Sequence, residues 1–175
     1  MDPLIFYCHG FNSSFNSDKV KLLKSHFEHT YAWDIDIDPT VSIPFLRSSI
    51  VDVLIDYMHH PVEMIMVGTS LGAWYAHKLA DIFRSKAILI NPCFNPGISL
   101  KKYGVEYTIL QKYDSISVNK EYNYFIAEHD EIIDFSPYKE ELKNVNTRFF
   151  LNATHRFNGE EFNSVIDEIK NIVSK

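Results

Sequence analysis

The stretch VEMIMVGTSLGAWYA, residues 62–76, joins an apolar run to a segment of helical character through a short turn. In that turn Ser70 lies between Gly68 and Gly72 in the pattern G-x-S-x-G. Glycine at both positions keeps side chains away from a sharp bend, and the serine then presents its hydroxyl above the sheet. The pattern is typical of a nucleophile elbow. The alternative is a glycine-containing turn without chemistry.

The chain on either side of this turn alternates apolar, strand-like runs with amphipathic, helix-like segments. Strands are predicted at 3–9, 32–38, 62–68, 86–91, 123–129 and 147–153, and helices at 18–31, 43–60, 71–84, 136–144 and 160–174. Ser17 is expected to cap the first helix, and Asn158 with Glu161 to form a capping box before the last. This alternation predicts a mostly parallel α/β sheet with helices on both faces.

Residues 92–121 interrupt the alternation with two prolines, two glycines and a short helix-like stretch near 105–113. The segment follows the carboxyl end of a strand, where open α/β sheets bind their ligands. We therefore expect a small lid or rim rather than a second domain, within a single domain over residues 1–175.

Composition excludes several classes of protein. The formal charge of −6 and the lack of a basic run argue against a nucleic-acid partner. Two cysteines, Cys8 and Cys93, do not make a disulfide scaffold, although one disulfide stays open. The start MDPLIFYCHGFN lacks the basic region of a signal peptide, and no apolar run reaches the ~18 residues of a membrane span. A cytoplasmic protein is expected, and its oligomeric state is left open.

A serine nucleophile needs a histidine base and an acid, and in this architecture the acid follows the serine along the chain and the histidine follows the acid. Three histidines follow Ser70: His77, His129 and His155. His77 lies within the helix after the elbow and is expected to be structural, and His129 is better interpreted as a neighbour of the acid. His155 follows the last predicted strand and precedes the last helix, so it is the predicted base.

Four carboxylates lie at or just after the end of the fifth predicted strand: Glu128, Asp130, Glu131 and Asp134. Asp130 comes just past the strand, where the turn faces the crevice, and is the favoured acid. Asp134 is the alternative. His129, Asp130 and Glu131 together suggest a metal site, but consecutive residues rarely converge on one ion and no H-x-x-x-H pair is present. No metal and no cofactor are expected.

The oxyanion of a tetrahedral intermediate needs preplaced hydrogen-bond donors. One is expected to be the backbone N–H of Leu71, the residue after the serine. The second is expected from HGFNSS, residues 9–14, where Gly10 permits close backbone approach and the N–H of Phe11 is the best candidate. His9 is expected to brace this loop. The alternative for this stretch is an ordinary turn at the end of a strand.

Five segments carry a resemblance to a known family: YCHGFNSS, VGTSLGAWYA, NP at 91–92, EHDEIIDF and THRF. Together they resemble the YqiA/YcfP-like small bacterial esterases of the α/β-hydrolase superfamily, from Leu4 to about Val173. The resemblance implies an α/β-hydrolase fold without a large cap, acting on carboxylic esters or acyl thioesters. It also implies the site roles: Ser70 as nucleophile, Asp130 as acid, His155 as base, and Phe11 and Leu71 as oxyanion donors.

Two departures from the family pattern are visible. Thr69 and Ala73 stand where a small Ser or Gly is common, and Arg156 follows the histidine where a small residue is more usual.

The motifs and the resemblance together predict a serine esterase or thioesterase that forms an acyl-enzyme with a small-molecule substrate. It does not separate ester from thioester or amide. The competing hypothesis is a catalytically silent interaction module on the same fold.

Overall fold

A six-stranded sheet forms the centre of the molecule. The structure, a computed structural model, describes residues 3–174. The strands are β1 Leu4–Cys8, β2 Thr30–Ala32, β3 Met64–Thr69, β4 Lys86–Ile90, β5 Asn123–Ala127 and β6 Thr147–Phe150. Their order is β2-β1-β3-β4-β5-β6, and every described pairing is parallel. The predicted parallel α/β sheet is confirmed.

Helices connect these strands and cover both faces of the sheet. They are α1 Asp18–His26, α2 Pro39–Asp56, α3 Leu71–Phe83, α4 Pro96–Ser99, α5 Tyr107–Leu110, α6 Lys139–Lys143 and α7 Glu160–Val173, with 3₁₀ turns at Leu100–Tyr103 and Ser136–Tyr138. Within residues 3–174, none of these helices has the length and apolar character needed to cross a membrane.

The core lies in two layers because alternate residues of each strand point to opposite faces. Leu4 and Phe6 of β1 belong to the layer that α2 and α3 cover, whereas Ile5 and Tyr7 belong to the layer under α1 and α7. Side chains at helical spacing on α7 are buried in that second layer: Phe162, Val165, Ile166 and Ile169. Both apolar faces of the sheet are thus removed from water, which is the main stabilising contribution.

The predicted strand at 32–38 is wrong. β2 is shorter and ends at Ala32, and residues 33–38 leave the sheet. Their backbone groups pair with side chains instead: the Ile35 N–H donates to His9 Nε2 over 3.1 Å, and the Asp36 carbonyl accepts from Ser42 Oγ over 2.8 Å. The apolar–acidic alternation arises because Ile35 and Ile37 are half-buried against the core while the acidic side chains face outward.

The helix ends also differ from their predictions. α2 begins at Pro39 rather than at residue 43, because the Asp38 side chain accepts a hydrogen bond from the Thr40 N–H over 2.9 Å and caps the helix. Ser17 occupies the N-cap of α1, but its side chain makes no capping bond in the described part of the chain.

The capping box predicted before the last helix is wrong. Gly159, with φ of 60°, precedes α7 and offers no side chain. Asn158 accepts instead from Lys19 Nζ over 3.1 Å, which ties the start of α7 to α1.

Residues 92–121 contain α4, the 3₁₀ turn Leu100–Tyr103 and α5, and α5 at Tyr107–Leu110 is the short helix predicted near 105–113. Phe94 and Ile116 are buried, and the Ile116 N–H donates to the Phe94 carbonyl over 2.9 Å. The Trp74 indole N–H of α3 donates to the Asp114 carbonyl over 2.8 Å. Much of the segment is therefore part of the core, and its role as a lid or rim stays a prediction.

Candidate active site

The turn between β3 and α3 holds Ser70 in a strained backbone conformation, with φ of 58° and ψ of −121°. This backbone conformation costs a residue other than glycine on the order of 1–3 kcal/mol, and it persists only where the surrounding structure enforces it. Here the Ser70 N–H donates to the Ile90 carbonyl over 2.9 Å, and the Ser70 carbonyl accepts from Ala73 over 3.0 Å and from Cys93 over 3.1 Å. The bend is thus held from β4, from α3 and from the segment after β4.

The two glycines of the motif are required by close approach of backbone segments. A Cβ added at Gly68 would lie 2.3 Å from the Gly72 carbonyl oxygen, and one added at Gly72 would lie 2.1 Å from the Cys8 carbonyl oxygen. Contacts under 3.0 Å are not tolerated by a real Cβ. Glycine at these positions therefore lets the start of α3 pack directly on β3 and β1, which places Ser70 at the carboxyl edge of the sheet.

Ser70, His155 and Asp130 form one hydrogen-bonded chain at this edge. His155 Nε2 lies 2.9 Å from Ser70 Oγ, and His155 Nδ1 lies 2.7 Å from Asp130 Oδ2. With Nδ1–H donating to the carboxylate, Nε2 is free to accept the hydroxyl proton. The Asp130 side chain is 1% exposed and the His155 side chain 14% exposed, so the hydrogen bond between them is shielded from water while the imidazole remains accessible.

The second oxygen of Asp130 is also occupied. Oδ1 accepts the backbone N–H groups of Ile132 and Ile133, each over 2.8 Å. Asp134 is instead exposed and accepts from the Ser136 N–H over 2.9 Å, and hydrogen bonds from the Ser136 side chain and backbone lower the pKa of Asp134. The structure thus brings Asp130, and not the alternative Asp134, to His155.

Two residues whose positioning role the sequence analysis did not predict hold the backbone of the His155 loop. Asn91 is fully buried with φ of 44°; its Oδ1 accepts from the Ala127 N–H over 2.8 Å, and its Nδ2 donates to the His155 carbonyl over 3.1 Å. Glu131 Oε2 accepts from the His155 N–H over 3.0 Å. The available signal was a polar side chain directly after the apolar strand β4.

The loop after β1 runs beside Ser70. A Cβ added at Gly10 of this loop would lie only 3.4 Å from the Ser70 Cβ. His9 fixes this loop: its Nδ1 donates to the Gly10 carbonyl over 2.9 Å while Nε2 accepts from the Ile35 N–H. The loop is therefore anchored to residues 33–38 beside it.

The two predicted oxyanion donors, Phe11 and Leu71, line the same cleft of about 230 Å³ next to this loop. Neither backbone N–H has an acceptor among residues 3–174. Both amides are therefore available to a ligand.

The other two histidines that follow Ser70 lie apart from the hydrogen-bonded chain of Ser70, His155 and Asp130. His77 is buried within α3 and donates from Nε2 to the Ser117 carbonyl over 3.2 Å, and burial lowers its pKa. His129 is exposed on the turn after β5. Both observations agree with the expectation that neither is the base.

The departures from the family pattern have local explanations. The Thr69 hydroxyl lies 2.9 Å from the Tyr7 hydroxyl in the buried layer between β3 and β1. Arg156 is exposed, and burial together with the nearby charge of Arg156 lowers the pKa of Lys19.

Cys8 and Cys93, both within the described residues, are free buried thiols. Burial raises the pKa of Cys8 to about 12 and that of Cys93 to about 11. Because the thiolate is the reactive form, neither cysteine is expected to react with Ellman's reagent at about pH 8 in the native protein. In concentrated guanidinium chloride both should react. Rapid modification of the folded protein would contradict the burial of these two thiols.

A larger cavity, about 1250 Å³, lies elsewhere, at the amino ends of the strands, with Lys86, Asn123 and Arg148 in its wall. It contains none of the predicted site residues, so cavity size does not identify the site here. The hydrogen-bonded chain at the carboxyl edge is the candidate site.

Comparison with known proteins identifies a family and supports the fold described above. A model of the uncharacterised protein family UPF0227 matches residues 4–174. The structure is similar to Est1E from Butyrivibrio proteoclasticus with bound ferulic acid, with a TM-score of 0.73 and 14% identity over 99% of this chain and 90% of that chain. It is also similar to alpha/beta hydrolase domain-containing protein 10 from mouse, with a TM-score of 0.69 and 15% identity over 97% of this chain and 89% of that chain.

A third similar structure is the Pyrococcus furiosus esterase Pf2001, with a TM-score of 0.67 and 17% identity over 97% of this chain and 81% of that chain. At these identities the likeness shows the fold alone, which is that of an α/β hydrolase.

Proposed function

The chain belongs to the uncharacterised protein family UPF0227, and from its α/β-hydrolase fold and its Ser70–His155–Asp130 geometry we propose that it is a serine hydrolase. It cleaves carboxylic esters or acyl thioesters through an acyl-enzyme. The observation that carries the proposal is the continuous hydrogen-bonded chain, with 2.9 Å between Ser70 Oγ and His155 Nε2 and 2.7 Å between His155 Nδ1 and Asp130 Oδ2.

In the first step, Ser70 Oγ attacks the carbonyl carbon while its proton passes to His155 Nε2. Such proton transfer by a positioned base contributes about 10²- to 10⁴-fold to a rate. The imidazolium that forms is stabilised by the ionised carboxylate of Asp130, which holds the ring without taking the proton. The two backbone N–H groups on Asp130 Oδ1 keep that carboxylate oriented toward His155.

The negative charge that develops on the carbonyl oxygen is met by the backbone N–H groups of Phe11 and Leu71. One such donor contributes roughly 10²- to 10³-fold to kcat. Collapse of the intermediate then breaks the bond to the leaving group, which takes the proton from His155. Water activated by the same imidazole releases the acid and restores Ser70. Asn91 and Glu131 act as positioning residues, because they hold the backbone of His155 from both sides.

Two matched variants test the assignment of the acid. Asp130→Asn removes the charge beside His155 and is expected to lower kcat for p-nitrophenyl esters by about 10⁴-fold. Asp134→Asn makes the same chemical change four positions along the chain, where the carboxylate only accepts from Ser136, and should change kcat by less than about threefold.

Both variants are to be compared by steady-state kinetics, with circular dichroism to verify the fold. Equal losses in the two variants, or a larger loss in Asp134→Asn, would remove Asp130 from the proposed mechanism.

A further inference from the structure

The cleft of about 230 Å³ beside the Phe11 loop lies on one side of Ser70. Its walls come from residues 9–13, which follow β1, and from residues 35–37, which follow β2. The sheet order places β2 and β1 on one side of β3, and β4, β5 and β6 on the other. The cleft therefore lies on the β1–β2 side of the serine.

The proposed base reaches Ser70 from the opposite side. Asp130 follows β5, and His155 follows β6. The leaving-group oxygen has to lie within hydrogen-bond reach of His155 Nε2, because that nitrogen returns the proton. The leaving group must then extend toward β5 and β6. The β1–β2 side is left for the acyl part of the substrate.

We propose that this cleft is the acyl-binding subsite and that it takes a short, uncharged, apolar acyl chain. The proposal rests on the proposed function, since it assigns the two sides of the same serine. It goes further by naming the substrate class, which neither the family match nor the fold provides.

The cleft is open to solvent on one side, so its volume sets the length of acyl chain that its walls shield from water. Pockets for drug-sized ligands have about 300–1,000 Å³, so this cleft is smaller than they are. At roughly 30 Å³ for a water-sized group, it has room for about seven or eight such groups. The acyl chains that fit have about four to eight carbons.

Beside the polar groups of His9, Asn12, Ser13 and Asp36, the cleft offers an apolar contact surface to a substrate chain. Phe11, Ile35, Ile37 and Leu71 contribute aromatic and aliphatic surface. Ile35 and Ile37 are half-buried and pack against the core layer under α2 and α3. Their positions are fixed further by the bond from the Ile35 N–H to His9 and by the Tyr113 hydroxyl, which donates to the Ile37 carbonyl over 2.5 Å. The walls are thus preformed.

Charge in the cleft disfavours an anionic acyl chain. Asp36 lines it, is exposed, and accepts from the Asp38 N–H over 2.8 Å. Within residues 3–174 the Asp36 carboxylate has no cationic partner, since Lys112 pairs with Asp38 instead. A chain that ends in a carboxylate therefore meets a negative charge without compensation.

The size of the subsite is tested with p-nitrophenyl acetate, butyrate, hexanoate, octanoate and dodecanoate, which share one leaving group. The wild type should show its highest kcat/KM between butyrate and octanoate. Ile37→Phe fills the cleft and is expected to lower kcat/KM for hexanoate by about tenfold or more, with acetate changed by less than about twofold.

Ile37→Ala enlarges the cleft, so the acyl chain length with the highest kcat/KM should increase. This variant tests the same subsite if Ile37→Phe does not fold. Ile55→Phe, the same substitution at an exposed position of α2, is the matched control and should keep the wild-type profile.

The charge effect is tested with the p-nitrophenyl half-ester of glutaric acid against p-nitrophenyl pentanoate, which has the same number of acyl carbons. Asp36→Asn should raise the ratio of glutarate to pentanoate kcat/KM by about threefold or more, the size expected for two charges a few ångströms apart in water. An unchanged ratio would contradict the predicted rejection of anionic chains.

Labelling of Ser70 by a fluorophosphonate separates the two proposals. If the wild type is not labelled, both the proposed function and the subsite are overturned. If labelling and acetate hydrolysis are intact but both Ile37 variants keep the wild-type chain-length profile, only the subsite is overturned. A change in preference among acetate esters of different alcohols, with no change in acyl preference, would assign the cleft to the leaving group and would equally overturn the inference.

Discussion

Replacing Ser70 by alanine is expected to lower kcat for p-nitrophenyl esters by about 10⁵- to 10⁶-fold, to the level left by binding and the oxyanion donors alone. The reason is that the variant lacks the oxygen that lies 2.9 Å from His155 Nε2, so no acyl-enzyme forms. The fold should be retained, because the hydrogen bonds that hold this turn come from the backbone of residue 70. Steady-state kinetics on purified protein measures the loss.

Ser48→Ala is the matched control, since Ser48 is an exposed serine on α2. It should keep wild-type kinetics. Turnover that persists in Ser70→Ala would mean that another group is the nucleophile. If a well-folded wild type shows no turnover with any ester or thioester, the alternative of a silent interaction module is favoured.

Gly72→Ala is expected to prevent formation of the native structure. The added methyl group would lie 2.1 Å from the Cys8 carbonyl oxygen and 2.5 Å from that of His9. Both are backbone atoms of β1 and the loop after it, so the clash is relieved only by separating α3 from the sheet. We expect the free energy of unfolding to fall by more than about 4–5 kcal/mol, which is a large fraction of the ~5–15 kcal/mol that stabilises a typical domain. Thermal unfolding followed by circular dichroism measures this loss.

Gly104→Ala serves as the comparison. Gly104 also has a left-handed backbone, with φ of 74°, but nothing lies within 4 Å of an added Cβ. Its loss of stability should be about 1 kcal/mol, from backbone strain alone. A Gly72→Ala protein with a melting temperature close to that of Gly104→Ala would show that α3 does not require the close packing described above.

The sequence was most informative where local pattern and chemistry coincide. The strand–turn–helix around Ser70 is set by an apolar run, two glycines and an apolar helix, all within residues 62–76. The sequence also favoured His155 and Asp130 because each follows a strand, and parallel strands present their carboxyl ends at one edge. The structure brings these side chains together, while their catalytic roles stay predictions.

Other features depend on contacts between distant segments and were missed or misassigned. Residues 34–38, with their alternating Asp and Ile, have the pattern of an exposed strand. The side chains of His9 and Ser42, however, form hydrogen bonds with backbone groups that would otherwise pair with a neighbouring strand. The sequence around Asn91 does not indicate that its side chain forms hydrogen bonds with the backbone of Ala127 and His155, which lie far along the chain. Local periodicity does not record such long-range partners.

The Asn158–Glu161 spacing matched a capping box, but a glycine with positive φ occupies the N-cap instead. Spacing alone does not show which residue begins a helix, since the N-cap is defined by its backbone conformation. The start of α7 could therefore not be predicted from these two residues.

The central claim is that Ser70 is an activated nucleophile, and covalent labelling with peptide mapping tests it most directly. The native protein is to be treated with a fluorophosphonate, and its mass and tryptic peptides measured. The account predicts one adduct per chain, located on Ser70 and greatly slowed in His155→Ala, because that variant lacks the base. A folded protein that gains no adduct, or one that carries it on another residue, would contradict the account.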